Sequence, residues 1–170
     1  MSAKLVWLTG LSGSGKTTLA TKLYQRLLQE QLNVVHLDGD SLREINGQDL
    51  GYNSEDRLTN AWRLHRLALF LINQDINVVC STISLFHQIH QANRNSFKQY
   101  YEIFVDCEKK ELIRRNQKGL YSDFNINKMQ NLAGFDQEVE FPLFPHLVLK
   151  NMLEQDLSQN LVKILKLING

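Results

Sequence analysis

The sequence predicts an α/β fold in which a five-stranded parallel sheet carries helices on both faces. Short runs that are apolar throughout alternate with longer segments whose apolar residues recur at helical spacing. Strands that are apolar throughout are typical of a parallel sheet buried on both faces. A glycine-rich segment also joins the first apolar run to the first amphipathic segment. The length of 170 residues favours one domain, predicted over residues 1–170, rather than two.

The predicted elements follow one another along the chain in alternation. The apolar runs predict strands over residues 4–9, 33–37, 76–80, 102–105 and 147–149. Helical spacing predicts helices over residues 16–31, 54–71, 86–98, 109–116 and 154–168, with Ser54 as a candidate cap of the second helix. Residues 117–145 show no periodicity and hold both prolines, and we interpret this segment as a lid over a binding site.

Composition limits the classes of partner. With 19 Lys and Arg against 18 Asp and Glu, the net charge is +1, so the chain offers no basic surface for a nucleic-acid polymer or an anionic membrane. Neither a signal peptide nor a run of membrane-spanning length is evident, so we expect a cytoplasmic protein with no membrane partner. Cys80 and Cys107 lie in apolar contexts, which predicts two buried, reduced thiols.

The strongest motif is Gly10–Thr17, GLSGSGKT, which matches the P-loop pattern GxxxxGK[ST] between a strand and a helix. Such a loop turns successive backbone N–H groups toward phosphate oxygens at a helix N-terminus. Lys16 is expected to reach the β- and γ-phosphates of ATP, and the Thr17 hydroxyl to hold Mg²⁺. The predicted ATP-binding residues are Gly10, Ser12, Gly13, Ser14, Gly15, Lys16, Thr17 and Thr18.

A second motif, Asp38-Gly39-Asp40, closes the second predicted strand at the edge where ligands bind in doubly wound sheets. In an extended chain the two carboxylates share one face. Such a pair of carboxylates could orient Mg²⁺ through water or accept a proton from an attacking hydroxyl. Arg43 suits a phosphate or sulfate group of the acceptor. The simpler alternative is a turn with a helix cap at Asp40.

Further polar residues form candidate acceptor contacts. Arg57, Asn60 and Arg63 share one helix flank and could bind an anionic acceptor, although a solvated helix face explains the same spacing. Tyr52 could stack on a base. Ser84 follows the third strand at the same sheet edge, and Arg115, which precedes the predicted lid, could close over the triphosphate.

Taken together, these motifs resemble the adenylylsulfate kinases, which are P-loop kinases that phosphorylate the ribose 3′-hydroxyl of adenosine 5′-phosphosulfate. The resemblance is carried by GLSGSGKTT at 10–18, LDGDSLR at 37–43, LGYNSEDR at 50–57 and KGLY at 118–121. It implies a small nucleotide acceptor, Mg²⁺ with ATP as the donor, and a homodimer as one assembly that the family uses. The acceptor-binding residues that it implies are Asp40, Arg43, Tyr52, Arg57, Asn60, Ile83, Ser84, Lys118 and Leu132.

Two features of the resemblance concern catalysis. The implied catalytic residues are Lys16, Asp38 and Asp40, with Ser84 as a further candidate. Ser84 aligns with a serine to which the family assigns a phosphoserine intermediate, but direct in-line transfer needs no covalent step.

The sequence departs from the family pattern on the acceptor side. Leu132 stands where the family has a phenylalanine that stacks on the acceptor base, and Leu85 replaces the proline after Ser84. The default acceptor is adenylylsulfate. A reduced stacking platform would also suit a pyrimidine, so cytidine diphosphoramidate, the acceptor of relatives in surface-polysaccharide pathways, is the alternative. A regulatory module that binds ATP without catalysis is a third hypothesis, against which the intact Lys16 and Asp40 argue.

Overall fold

Five parallel strands form one sheet with the order β2-β3-β1-β4-β5. The computed structural model describes residues 2–30, 32–116, 119–125, 130–150 and 156–170. Within these residues the parallel sheet and its helices confirm the predicted fold class. The strands are β1 (Leu5–Thr9), β2 (Val34–Asp38), β3 (Asn77–Thr82), β4 (Tyr100–Asp106) and β5 (Leu147–Lys150).

Seven helices are present in the described part of the chain, two more than the sequence predicts. The unpredicted helices, α2 and α6, are seven and six residues long, too short to show a helical period. The cap of α3 is Asn53 and not Ser54, because the Asn53 side chain accepts the Asp56 amide at 2.8 Å. The helices are α1 (Lys16–Gln29), α2 (Gly39–Ile45), α3 (Ser54–Ile72), α4 (His87–Ser96), α5 (Lys109–Arg115), α6 (Leu120–Asn125) and α7 (Asp156–Asn169).

The central strand β1 shows why its residues are all apolar. Val6 and Leu8 belong to one core cluster, which contains residues of α1 and α7. Leu5 and Trp7 belong to a second cluster, which contains residues of α3 and α4. Alternate side chains of a strand point to opposite faces, so both faces of β1 are covered. This packing fixes the carboxyl end of β1 against its neighbours, where the glycine-rich loop begins.

A third, smaller cluster joins the glycine-rich loop to the segment that was predicted as a lid. Leu11 of the loop packs with Leu112, Tyr121 and Leu132, which are all buried. The Tyr121 hydroxyl also donates to the Ser12 carbonyl at 2.5 Å. Tyr121 and Leu132 of the predicted lid therefore pack directly against the loop.

The two cysteines are unpaired and buried, as the sequence predicts. Burial raises the pKa of Cys80 well above its usual value, so its thiol stays protonated. Among the described residues, none of the helices combines the length and apolar character needed to span a bilayer.

Candidate active site

The glycine-rich loop has the geometry of a phosphate site. Gly13 and Gly15 have φ values of +78° and +90°, a region that side chains with a Cβ rarely adopt. These two residues allow the chain to turn sharply into α1, which begins at Lys16. The Lys16 side chain is 8% exposed, and its Nζ lies 3.3 Å from the Leu11 carbonyl oxygen. The cation is therefore held against the loop that would surround the phosphates.

Asp38 is the polar centre of the site. Its side chain accepts the backbone amides of Asp40 and Ser41 at 3.1 and 3.3 Å, so Asp38, and not Asp40, caps α2. Its other oxygen accepts the hydroxyls of Thr17 at 3.2 Å and Ser81 at 2.8 Å. Burial alone would raise the pKa of Asp38, but these hydrogen bonds outweigh it and hold the pKa below its usual value.

The Thr17–Asp38 pair fits a magnesium ion. Hydroxyl and carboxylate oxygens are the ligands that Mg²⁺ prefers, and Mg²⁺ commonly keeps several waters and binds substrate phosphates as well. The described residues contain no group of three or more His, Cys, Asp or Glu side chains that could hold a metal ion by itself. Thr17 and Asp38 would thus hold the ion together with the phosphates and water.

Ser81 and His36 extend the polar contacts of Asp38, and the sequence predicted no role for either side chain. The Ser81 hydroxyl gives its proton to Asp38, so the His36 Nε2, 3.0 Å from Ser81 Oγ, must donate to Ser81. The position of Ser81 at the end of β3 was the available indication, because strand ends line the ligand edge of such a sheet. His36 offered no comparable indication, because it lies within β2.

One cavity of about 290 Å³ brings the phosphate loop and the predicted acceptor residues together. It lies at the carboxyl ends of β2 and β3, as expected for the crevice of a doubly wound sheet. Its lining residues are Ser12, Gly13, Lys16, Thr17, Asp38, Gly39, Asp40, Ser41, Arg43, Glu44, Arg57, Asn60, Ser81, Thr82, Ile83 and Ser84.

Two arginines give the acceptor end of the cavity a positive charge. Arg43 donates to the carbonyls of Leu50 and Gly51 at 3.2 and 2.7 Å. Arg57 donates to the carbonyls of Tyr52 and Asn131 at 2.8 and 2.9 Å. Burial and the charge of Arg43 lower the pKa of Arg57. Because these hydrogen bonds go to neutral carbonyls, the two guanidinium charges remain available to attract an anion.

Tyr52 lies beside these arginines rather than in the lining of the cavity. The guanidinium carbons of Arg43 and Arg57 lie 4.8 and 5.4 Å from the centre of its ring. Contacts of this kind stabilise a cation against the electron-rich face of the ring. The predicted stacking of Tyr52 on a base stays a prediction.

Asn60 and Ser84 bring buried polar atoms to the cavity. The Asn60 amide donates to the Gly39 carbonyl at 3.2 Å. Within the described residues, Asn60 Oδ1 and Ser84 Oγ are buried and have no hydrogen-bond partner. Such atoms are costly unless a ligand or water satisfies them, which makes both residues candidates for acceptor contacts.

Other predicted residues lie outside the cavity lining. Arg63 forms a two-point ion pair with Asp49, both contacts 2.7 Å long, and its predicted contact with the acceptor stays a prediction. Arg115 donates to the Gly13 carbonyl at 3.3 Å and to Glu111, which places it beside the phosphate loop. Lys118 lies outside the described residues. Four predicted ATP-binding residues do not line the cavity. Three of them belong to the glycine-rich loop and the fourth to the first turn of α1: Gly10, Ser14, Gly15 and Thr18.

Comparison with known proteins identifies the family. The family model for adenylylsulphate kinase matches residues 2–150. The chain belongs to the adenylylsulphate kinase family. A cytidine diphosphoramidate kinase of Campylobacter jejuni is 40% identical over 162 residues, which cover 95% of this chain and 94% of that protein. An adenylyl-sulfate kinase of Pseudomonas aeruginosa is 36% identical over 152 residues, covering 88% and 78%.

The fold agrees with solved structures of this kinase family. The Mycobacterium tuberculosis APS kinase CysC, solved in complex with AMPPNP and APS, superposes with a TM-score of 0.91 over 99% of both chains at 28% identity. These relatives confirm that the protein is a phosphotransferase of the P-loop class. The hypothesis of a regulatory module without catalysis is therefore wrong.

Leu132 of this kinase is buried, and its predicted contact with the acceptor base stays a prediction. Its side chain is 3% exposed and packs in the third core cluster with Leu11 and Leu85. It is absent from the lining of the described cavity. In this structure Leu132 therefore contributes to a core cluster beside the phosphate loop.

Leu132→Phe is accordingly expected to lower the free energy of unfolding by about 1–3 kcal/mol, because a larger ring is forced into a packed cluster. Urea denaturation of the variant and the wild type measures this loss. Leu132→Met, which nearly conserves the volume, is the control and is expected to cost less than about 1.5 kcal/mol. An unchanged denaturation midpoint in Leu132→Phe would show that the side chain has open space around it.

Three histidines of this kinase, His36, His90 and His146, make its stability sensitive to pH, because burial lowers the pKa of each. Burial lowers the pKa of His90 below the ordinary value of 6.5, although the charge of Glu102 opposes the shift. Burial also lowers the pKa of His146. Its Nδ1 accepts a hydrogen bond of 2.9 Å from the backbone N–H of Glu102, and this bond is lost when Nδ1 is protonated. All three side chains are therefore neutral in the folded protein near neutral pH.

We expect the contribution of these histidines to the free energy of unfolding to fall as the pH drops through the unfolded value of 6.5 toward the lowered pKa values. In that range the unfolded chain binds protons that the folded chain does not. Urea denaturation at pH 7.5, 6.5 and 5.5 measures the effect. A double variant with His90→Gln and His146→Gln should show a shallower dependence. Stability that rises toward pH 5.5 in the wild type would contradict the prediction.

Proposed function

We propose that the protein transfers the γ-phosphoryl group of ATP to the ribose 3′-hydroxyl of a nucleotide that carries an activated 5′-substituent. One observation carries this proposal. A single cavity holds Lys16 and Thr17 of the phosphate loop together with Asp40, Arg43 and Asn60. Donor and acceptor contacts thus share a space in which the two substrates could meet for direct transfer.

The residues of the cavity suggest a division of roles. The 3′-oxygen attacks the γ-phosphorus, its proton passes to the Asp40 carboxylate, and the bond to the β,γ-bridging oxygen breaks to release ADP. Lys16 offsets the negative charge that the phosphates carry through this step. Thr17 and Asp38 would hold Mg²⁺, which supplies further charge neutralisation at the phosphates when it is bound.

Ser84 fits a role in acceptor binding better than a covalent role. Its hydroxyl is buried at the cavity, but His90, the neighbouring histidine, bonds the Ser84 carbonyl oxygen and not the hydroxyl. A serine nucleophile needs a base in contact with its hydroxyl. We therefore assign Ser84 Oγ to the acceptor.

Two acceptors fit the positive end of the cavity, because both carry an anionic 5′-substituent. Cytidine diphosphoramidate is supported by the Campylobacter jejuni relative, at 40% identity over nearly its full length, and by the burial of Leu132 away from the cavity. Adenylylsulfate is supported by the family model and by the likeness to the APS complex of the Mycobacterium tuberculosis enzyme.

A coupled assay of ADP release separates these acceptors. The wild-type protein with MgATP is tested against adenylylsulfate, cytidine diphosphoramidate, AMP and CMP. Release that depends on one of the two activated nucleotides, with little on AMP or CMP, supports the proposal and names the acceptor. Equal rates with AMP or CMP would show that the 5′-substituent is not recognised.

Three further expectations stay predictions. They are a single kinase domain with a lid over residues 117–145, a homodimer, and a cytoplasmic location.

A further inference from the structure

A buried polar group connects β4 and α4 to the acceptor end of the cavity. Glu102 of β4 is fully buried, and its Oε2 accepts from Arg94 at 2.9 Å and from the Tyr100 hydroxyl at 3.0 Å. Its Oε1 faces His90 Nδ1 across 4.0 Å. Neither of these two atoms has a hydrogen-bond partner within the described residues. His90 is itself only 5% exposed.

The surroundings of His90 determine where its proton lies. His90 Nε2 is 2.7 Å from the Ser84 carbonyl oxygen, which can only accept, so Nε2 carries the hydrogen and donates. In the neutral ring, Nδ1 is then the acceptor that faces Glu102. The other charged or titratable groups near the ring, Arg94 and His87, belong to the same helix.

The Ser84 carbonyl belongs to a tight turn. The Leu85 amide donates to the Ile83 carbonyl at 2.7 Å, which closes a three-residue turn with Ser84 at its centre. The Ser84 carbonyl accepts a second hydrogen bond, 3.2 Å long, from the hydroxyl of Thr9, the last residue of β1. Donors from α4 and β1 thus hold the peptide that determines where Ser84 Oγ projects.

We propose that His90 is a positioning residue for the acceptor: through the Ser84 carbonyl it fixes the turn that presents Ser84 to the cavity. The inference rests on the proposed function, because Ser84 matters in this way only if the cavity takes a nucleotide acceptor. A turn closed by one internal hydrogen bond has little rigidity of its own. Without the His90 donor, the buried carbonyl would lose the shorter of its two hydrogen bonds, and the turn would be held less firmly.

The test compares two replacements of His90. His90→Leu replaces the donor with an apolar side chain of similar size. It should raise the KM for the acceptor about tenfold, while the KM for ATP changes less than twofold. His90→Gln retains an amide donor and should restore most of the acceptor KM. Calorimetric titration of the acceptor in the absence of ATP should show a parallel loss of affinity. An acceptor KM in His90→Leu within twofold of wild type would overturn the inference.

His65→Leu is the matched control for a purely structural effect. His65 is 6% exposed and forms one hydrogen bond of 2.7 Å, to Asn93, but it does not contact the Ser84 turn. It should lower Tm while the acceptor KM stays within twofold of wild type. If both leucine variants raised the acceptor KM equally, the effect would be general destabilisation and the inference would fail.

Thr9→Val keeps the inference testable if His90→Leu does not fold. Valine has the shape of threonine without the hydroxyl, so only the second donor to Ser84 is lost. We expect a smaller rise in the acceptor KM, about threefold, because this bond is longer; no rise would count against the inference. If the wild type released ADP with neither activated nucleotide, the proposed function would fail and take the inference with it. An active wild type beside an unaffected His90→Leu would overturn the inference alone.

Discussion

Lys16→Ala is expected to lower kcat by about 10²–10³-fold, which corresponds to about 3–4 kcal/mol of lost transition-state stabilisation. The Lys16 ammonium lies against the phosphate loop, 3.3 Å from the Leu11 carbonyl oxygen, and the residue is only 8% exposed. A charge placed in advance in such a site stabilises developing negative charge without reorganisation. Steady-state ADP release with a saturating acceptor measures the loss.

Lys22→Ala is the matched control, because Lys22 is an exposed lysine on the same helix. It should leave kcat within twofold of wild type. If Lys16→Ala kept more than about a tenth of the wild-type kcat, a loss below about 1.4 kcal/mol, Lys16 would not act on the transferring phosphates.

Asp40→Asn is expected to lower kcat by about 10²-fold or more and to leave the ATP dissociation constant within about threefold. The replacement keeps the shape of the side chain but removes the carboxylate that would accept the 3′-hydroxyl proton. The structure separates the two carboxylates: Asp38 is engaged in four hydrogen bonds, whereas Asp40 is exposed at the cavity. Single-turnover kinetics and calorimetric ATP titration measure the two effects separately.

Asp75→Asn serves as the control, since Asp75 is exposed and is not among the residues that line the cavity. Its positive φ of 57° is one that asparagine tolerates well. A large loss of ATP affinity in Asp40→Asn with unchanged kcat would instead make Asp40 a ground-state binding residue.

Two kinds of feature could not be predicted from the sequence: short helices and the partners of individual side chains. The helices α2 and α6 are too short for a period, and α2 begins where Asp38 caps it from the end of a strand. Arg57 and Arg63 lie on the same flank of α3. Arg63 nevertheless forms a two-point ion pair with Asp49, which is 14 residues away in sequence. Spacing along a helix predicts the face on which a side chain lies, but it does not predict which group that side chain contacts.

The sequence by itself determined the parallel sheet, the phosphate loop and the family, because these depend on local patterns. Strands that are apolar throughout require cover on both faces, and a glycine-rich turn between strand and helix follows from backbone sterics. Only the tertiary structure decided which side chains converge. It placed Thr17, Asp38 and Ser81 in contact, buried Leu132 in a core, and set His90 against Ser84. Such contacts join residues from different strands and helices, so packing of the whole sheet sets their distances and no local pattern encodes them.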